Sequence, residues 1–310
     1  MWLTESTIRD HHHPTRFDCF PGVKLYGGYA GYSSFPKTPD RDWTLHQTIL
    51  SGDLNEDDER IYYDSNVNTY GVDGLLTDIL NNEDNSFTVV TGSDDALIEG
   101  FYIESGHATN SGPLPGATGI QPQMFQGAGL YNDHATPTVR DVVFRWNEAE
   151  RGGGMANHAS HPYLSRVVFD SNLATSQGAG IYNFSSLPQV GNTVFYKNHV
   201  TENGRAILNA NGSAATIVNS TFYGNWAQAD GAIANMNSDS SLVNSILYGN
   251  GAITQGGTAE LYNDSSSSPF VTFSNIAGGQ AGSGNINADP LWWAPDGGAG
   301  PDQRWTTGCS

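Results

Sequence analysis

An asparagine returns six times, at nearly constant spacing, through the second half of this chain. It closes the blocks Gly129-Leu130-Tyr131-Asn132, Gly154-Met155-Ala156-Asn157 and Gly180-Ile181-Tyr182-Asn183. It then closes Ala206-Ile207-Leu208-Asn209, Ala232-Ile233-Ala234-Asn235 and Glu260-Leu261-Tyr262-Asn263. The intervals are 25, 26, 26, 26 and 28 residues. Other rows keep the same phase. Phe144, Phe169, Phe195, Phe222, Leu247 and Ile276 form one, and Val139, Leu164, Val190, Ile217, Leu242 and Val271 precede them by five positions. Asn147, Asn172, Asn198, Asn225 and Asn250 follow by three, and Asn192, Asn219 and Asn244 precede by three. Each unit holds short alternating apolar stretches between turn residues, which is strand patterning.

A unit this small cannot bury its own apolar face, so copies must stack into one continuous core. Parallel strands about 4.8 Å apart place like residues above like. Asparagine suits such files because it tolerates left-handed backbone and its amide can bond the copy on the next turn. Leucine-rich spacing is absent, and a propeller blade needs a repeat of about 40 residues or more. The expected fold is all-β: a right-handed parallel β-helix of about seven or more coils of 25–28 residues, with irregular N-terminal insertions. Residues 1–20 are expected to be irregular, 21–293 to form the solenoid with a long loop over 53–85, and 294–310 to be a tail. Trp292 and Trp293 are available to cover the last turn.

Charge narrows the partners. Thirteen basic against 32 acidic residues give a net −19, which argues against nucleic acid and against anionic membrane surfaces. No run of about 18 apolar residues is present, so no membrane span is expected. Cys19 and Cys309 are too few for a disulfide framework or a structural zinc site.

Gly22-Val23-Lys24-Leu25-Tyr26-Gly27-Gly28-Tyr29-Ala30-Gly31, with Thr48-Ile49-Leu50-Ser51-Gly52-Asp53, is similar to an N-terminal signature of a known group. Asn219-Ser220-Thr221-Phe222-Tyr223-Gly224-Asn225 resembles its coil consensus, and Asn285-Ile286-Asn287-Ala288-Asp289-Pro290-Leu291 its closing segment. The group is that of secreted bacterial right-handed parallel β-helix repeat proteins, in the pectate-lyase-like superfamily. The resemblance implies an extracellular or cell-surface setting. Members usually begin with an export signal and an earlier first turn, so this chain is expected to be truncated at its N-terminus. Pectate-lyase-type members use a Lys or Arg base with Ca²⁺, and polygalacturonase-type members carry Asn-Thr-Asp, Asp-Asp and Gly-His-Gly. No such set stands here. Asp94-Asp95 lacks its companions and reads as a turn.

Candidate chemistry therefore rests on stacking. Arg145 and Asp170 fall in one file, with Lys197 and His199 just beyond on the next turn and Glu148 nearby. These five are candidate catalytic groups for proton transfer, the plainer alternative being a solvated face of ion pairs. Tyr196, Tyr223 and Tyr248 continue the file as a candidate platform for sugar rings, with Arg140 and Arg166 as further substrate-binding candidates. Val143, Val168, Val194, Thr221 and Ile246 form an outward apolar strip that a loop or a second subunit of a homo-oligomer can cover. Asp53, Asn55, Asp57 and Glu59, with Asp64, alternate as Ca²⁺ ligands do, but Asp58 stands where an EF-hand loop needs glycine. The three consecutive His at 11–13 can capture a transition metal opportunistically. Calcium is the one cofactor expected.

Three functions remain open: a polysaccharide-binding surface module, a lyase or hydrolase acting on acidic glycans, and a structural stalk or adhesin without a small-ligand site.

Overall fold

The computed structural model describes residues 2–4, 7–8, 16–29, 41–63, 75–109, 125–201, 205–227, 232–252 and 260–291. Its strands form a right-handed parallel β-solenoid. Each regular turn contributes one strand to each of four sheets. In the first such turn these are Leu130–Asp133, Thr138–Arg140, Val143–Arg145 and Glu148–Arg151, called here the first to fourth sheets. Among the described residues the sheets hold eight, nine, nine and six strands respectively.

Register follows the sequence rows residue for residue. Asn132 pairs with Asn157, Asn157 with Asn183, and so on to Asn263. Regular turns number five between Leu130 and Leu261, fewer than the seven or more expected. The reason lies upstream: Val90 neighbours Leu130 one rung away yet precedes it by 40 residues. Phe17 likewise neighbours Val90 across 73 residues. These early turns join the same sheets but carry insertions. Strands Trp2–Thr4 and Thr7–Ile8 lie at the edge of the second and third sheets.

The core is a set of files. Phe144, Phe169, Phe195 and Phe222 are fully buried and stack with ring centroids 5.0, 4.8 and 4.5 Å apart. Two buried amide files flank them. Asn147, Asn172, Asn198 and Asn225 each donate Nδ2 to the Oδ1 of the next, at 2.7–3.0 Å. Asn250 ends that file by donating to Glu260 Oε2 at 2.7 Å. The second file runs from Asn132 to Asn263 at 2.7–3.0 Å. Burying these amides is tolerable because each is hydrogen-bonded along the stack.

Serine supplies a further file that the sequence rows left unnoticed. The backbone N–H groups of Ser160, Ser186 and Ser213 donate to the hydroxyls of Ser186, Ser213 and Ser238, at 3.0–3.1 Å. The Asn192, Asn219 and Asn244 row sits at left-handed corners, φ 50–52°, as its chemistry suggests. Asp95 also takes a left-handed turn, φ 55°. Cys19 is a buried free thiol, pushed up to about 11 chiefly by burial and then by Asp18. Cys309 and the Trp292-Trp293 pair lie outside the described residues. No helix among the described residues is long and apolar enough to cross a membrane.

The segment expected as a loop over 53–85 instead contains an antiparallel hairpin, Glu59–Tyr63 with Leu75–Leu80. Leu76 and Ile79 are buried against Leu173 and Trp146 of the solenoid wall. Packing onto that wall stabilises the hairpin, since a lone two-stranded ribbon is marginal in water.

Candidate functional site

The corner between the third and fourth sheets carries most of the candidate groups. Its third-sheet border is the file Glu104, Arg145, Asp170, Tyr196, Tyr223 and Tyr248. The next residue in each of the last five turns is left-handed: Trp146, Ser171, Lys197, Gly224 and Gly249, φ 52–69°. The buried Asn147 file follows. The fourth-sheet border is then His107, Glu148, Leu173, His199, Trp226 and Gly251. Arg145, Asp170, Lys197, His199 and Glu148 thus do share one corner.

The hairpin roofs the N-terminal half of this corner. Asn82, just past it, donates Nδ2 to Glu148 Oε2 at 2.9 Å and accepts at its carbonyl from His107 Nδ1 at 2.7 Å. His199 Nδ1 donates to the Leu76 carbonyl at 3.2 Å, while its buried Nε2 has no hydrogen-bond partner. The Arg60 guanidinium lies 4.0 Å over the Trp146 ring and donates to Ser105 Oγ at 3.1 Å.

Beneath the roof Arg145 is paired within the fold. Arg145 Nε donates to Glu104 Oε2 at 2.5 Å, with its guanidinium 4.7 Å from the Tyr102 ring and 4.1 Å from Trp146. So held, Arg145 fixes the corner and is poorly placed to take a proton. Burial pushes the Asp170 carboxyl up, opposed by a hydrogen bond from Ser171 and by Lys197 and Arg145. Burial, then the Asp78 and Asp58 charges, push Glu148 up to about 7. Glu148 Oε2 lies 3.9 Å from His107 Nε2. A carboxyl titrating near neutrality is poised for general acid work, but Glu148 is only 15% exposed under the hairpin.

Beyond the roof's main contacts the corner becomes aromatic. Tyr196 and Tyr223 are half-buried and stack, centroids 6.1 Å apart and planes 11° apart. The Tyr223 ring lies against the next turn at Gly249, where a Cβ would come within 2.9 Å of it. Trp226 lies against Gly251 in the same way, also at 2.9 Å. Glycine at these two places lets each ring settle against the wall. Lys197 Nζ lies 5.0 Å over the Tyr196 ring. Trp226 was not singled out from the sequence, although it stands one place after Asn225, in the file that holds Glu148 and His199.

Other candidates lie elsewhere. Arg140, together with Arg41, clamps the buried Glu99 on the second sheet, through Arg140 Nε at 2.6 Å. Arg166 donates to both oxygens of Asp141 at 2.7 Å, at the opposite end of strand Val168–Asp170 from the tyrosine file. Neither reaches the Tyr file. The expected apolar strip is half-buried at Val168 and Val194 and buried at Val143. At Thr221 and Ile246 it lines a groove of about 540 Å³, bordered by Asn219, Asn244 and Phe273.

In the proposed calcium loop, Asp53 is buried and its Oδ1 accepts from the N–H groups of Glu56 at 2.6 Å and Asp57 at 3.3 Å. Asn55, Asp57 and Glu59 are exposed, and Asp64 lies outside the described residues. Asp58 is held by Asn85 Nδ2 at 3.0 Å and pushed up to about 6 by burial and the Asp53 charge. Ligating atoms of three acidic, His or Cys groups converge within 4.8 Å at a different place among the described residues: Asp133, His134 and His158.

Comparison of the chain with protein-family models, with curated proteins and with solved structures finds no match.

Proposed function

We propose that this protein binds a neutral polysaccharide along the corner formed by Tyr196, Tyr223, Tyr248 and Trp226. The observation that carries it is the aromatic file itself. Tyr196, Tyr223 and Tyr248 follow one another rung by rung, the first two rings 6.1 Å apart, and offer repeated apolar contacts to a chain lying along the solenoid axis. Asp170, Lys197 and the tyrosine hydroxyls can supply hydrogen bonds, the mixture on which ligand sites depend. Neutral glycan is favoured over acidic glycan because Glu104 balances Arg145 and the whole chain carries −19. An extracellular or cell-surface setting belongs to this proposal through the β-helix resemblance.

A panel of neutral and acidic polysaccharides tests it by affinity electrophoresis. Tyr196→Ala and Tyr223→Ala should weaken binding of a neutral chain at least tenfold with the melting temperature nearly unchanged. Absence of binding across the panel would leave the stalk as the better description.

Hydrolysis is a second reading, favoured by the Glu148 carboxyl at about 7. It requires the hairpin to open. Release of reducing ends by the wild type, lost in Glu148→Gln, would support it over binding alone.

A further inference from the structure

We propose that Asp133, His134 and His158 form a binding site for a divalent first-row transition-metal ion, on the corner between the first and second sheets. The site is independent of the aromatic corner. Asp133 and His158 end strands Leu130–Asp133 and Met155–His158 and are register partners on adjacent turns. His134 follows at the left-handed corner, φ 52°. These placements bring two imidazoles onto one carboxylate oxygen: Asp133 Oδ1 lies 2.7 Å from His134 Nδ1 and 3.0 Å from His158 Nδ1. All three ligating atoms fall within 4.8 Å of one another. A tetrahedral ion bonded at about 2.0–2.2 Å holds its ligand atoms about 3.3 Å apart, so modest side-chain rotation admits it.

The donor set selects the ion. Two imidazoles and one carboxylate suit Zn²⁺ and its first-row neighbours, whereas Ca²⁺ and Mg²⁺ take oxygen ligands. Orientation is partly built in. The His158 ring lies parallel to Phe184 on the next turn, 5.4 Å between centroids and 3° between planes, and such outer contacts hold a ligand's plane. Elsewhere along the same two files stand Phe184, Ala210 and Met236, and Ala159, Ser185, Asn211 and Asn237. Only at this rung does the repeat place three such donors together among the described residues. Nearby His161 is engaged differently, its Nδ1 accepting from the Leu187 N–H at 3.2 Å. Side-chain exposures of 50, 71 and 39% for Asp133, His134 and His158 leave the remaining coordination positions to water or to an external donor.

The test is calorimetric titration with ZnCl₂ alone, in a chain with the His at 11–13 changed to Ala so that this run does not compete. One equivalent per chain is expected, with affinity reduced at least tenfold by His158→Gln and by His134→Gln, and an unaltered metal-free melt. No stoichiometric binding, or binding indifferent to both substitutions, overturns the site and leaves a hydrogen-bonded His-Asp-His cluster only. Should a variant fail to fold, ring ¹⁵N shifts of the His-run-free chain decide: they move at His134 and His158 on adding Zn²⁺, or the site is refuted.

Discussion

The turns from Leu130 to Leu261 and the hairpin over Glu59–Leu80 obey different rules. In the turns the core asparagine and phenylalanine files stack like on like, so one favourable contact is multiplied along a file. The hairpin has no copy. It is held by a few particular contacts, Leu76 and Ile79 on Leu173 and Trp146, and Asn82 on Glu148. Repetition builds the wall, and this insertion distinguishes one part of it from another. Its position divides one corner into a roofed, charged half and an aromatic half.

The contrast can be broken most severely from inside a file. Phe169→Ala should cost about 3–5 kcal/mol in denaturant unfolding, because Phe169 is stacked on both sides and fully buried. A loss below about 1 kcal/mol would mean that neighbouring turns collapse freely into the gap.

The next effect concerns the end of the amide file. Glu260, like Glu148, sits at about 7 in the fold against an ordinary 4.5, burial being the chief cause. The fold therefore favours the protonated carboxyls. Their stabilisation is complete below about pH 4.5 and is lost as pH rises through about 7. Glu260→Gln should stabilise the chain at pH 8 by up to about 3 kcal/mol and change little at pH 5, read from melts at both values. Equal effects at the two pH values would refute the shifted carboxyl.

Leu76→Ala should act locally, loosening the hairpin by about 2 kcal/mol in hydrogen exchange while amides of the regular turns keep their protection. Uniform loss of protection would show hairpin and wall to be one cooperative unit. Arg166→Ala should be the mildest, about 0.2–1 kcal/mol, since the Arg166 side chain is 55% exposed.

The wall was legible because its rows repeat: six asparagines and six core positions each report the same geometry, so one ambiguous rung is outvoted by the others. Arg145 above Asp170, with the tyrosines below, followed directly from that phase. Interactions formed once were hidden. Glu104 meets Arg145 across an insertion of irregular length, and nothing local in Glu59–Tyr63 signals where that strand will dock. The serine file escaped for another reason. Serine is common at turns anyway, so its 25–27-residue spacing over Ser160, Ser186, Ser213 and Ser238 drew no notice.

Because every amide in the Asn147 file hands its proton donor onward in the same sense, the file has a head and a tail. Its head is met by the Gly106 N–H, donating to Asn147 Oδ1 at 3.0 Å. Its tail is met by Glu260, both of whose carboxyl oxygens accept from Asn250, Oε1 from the backbone N–H at 3.3 Å and Oε2 from Nδ2 at 2.7 Å. With both oxygens turned back on Asn250, Glu260 is a chemical full stop: growth of that file by another rung would first require an amide able to pass the bond along.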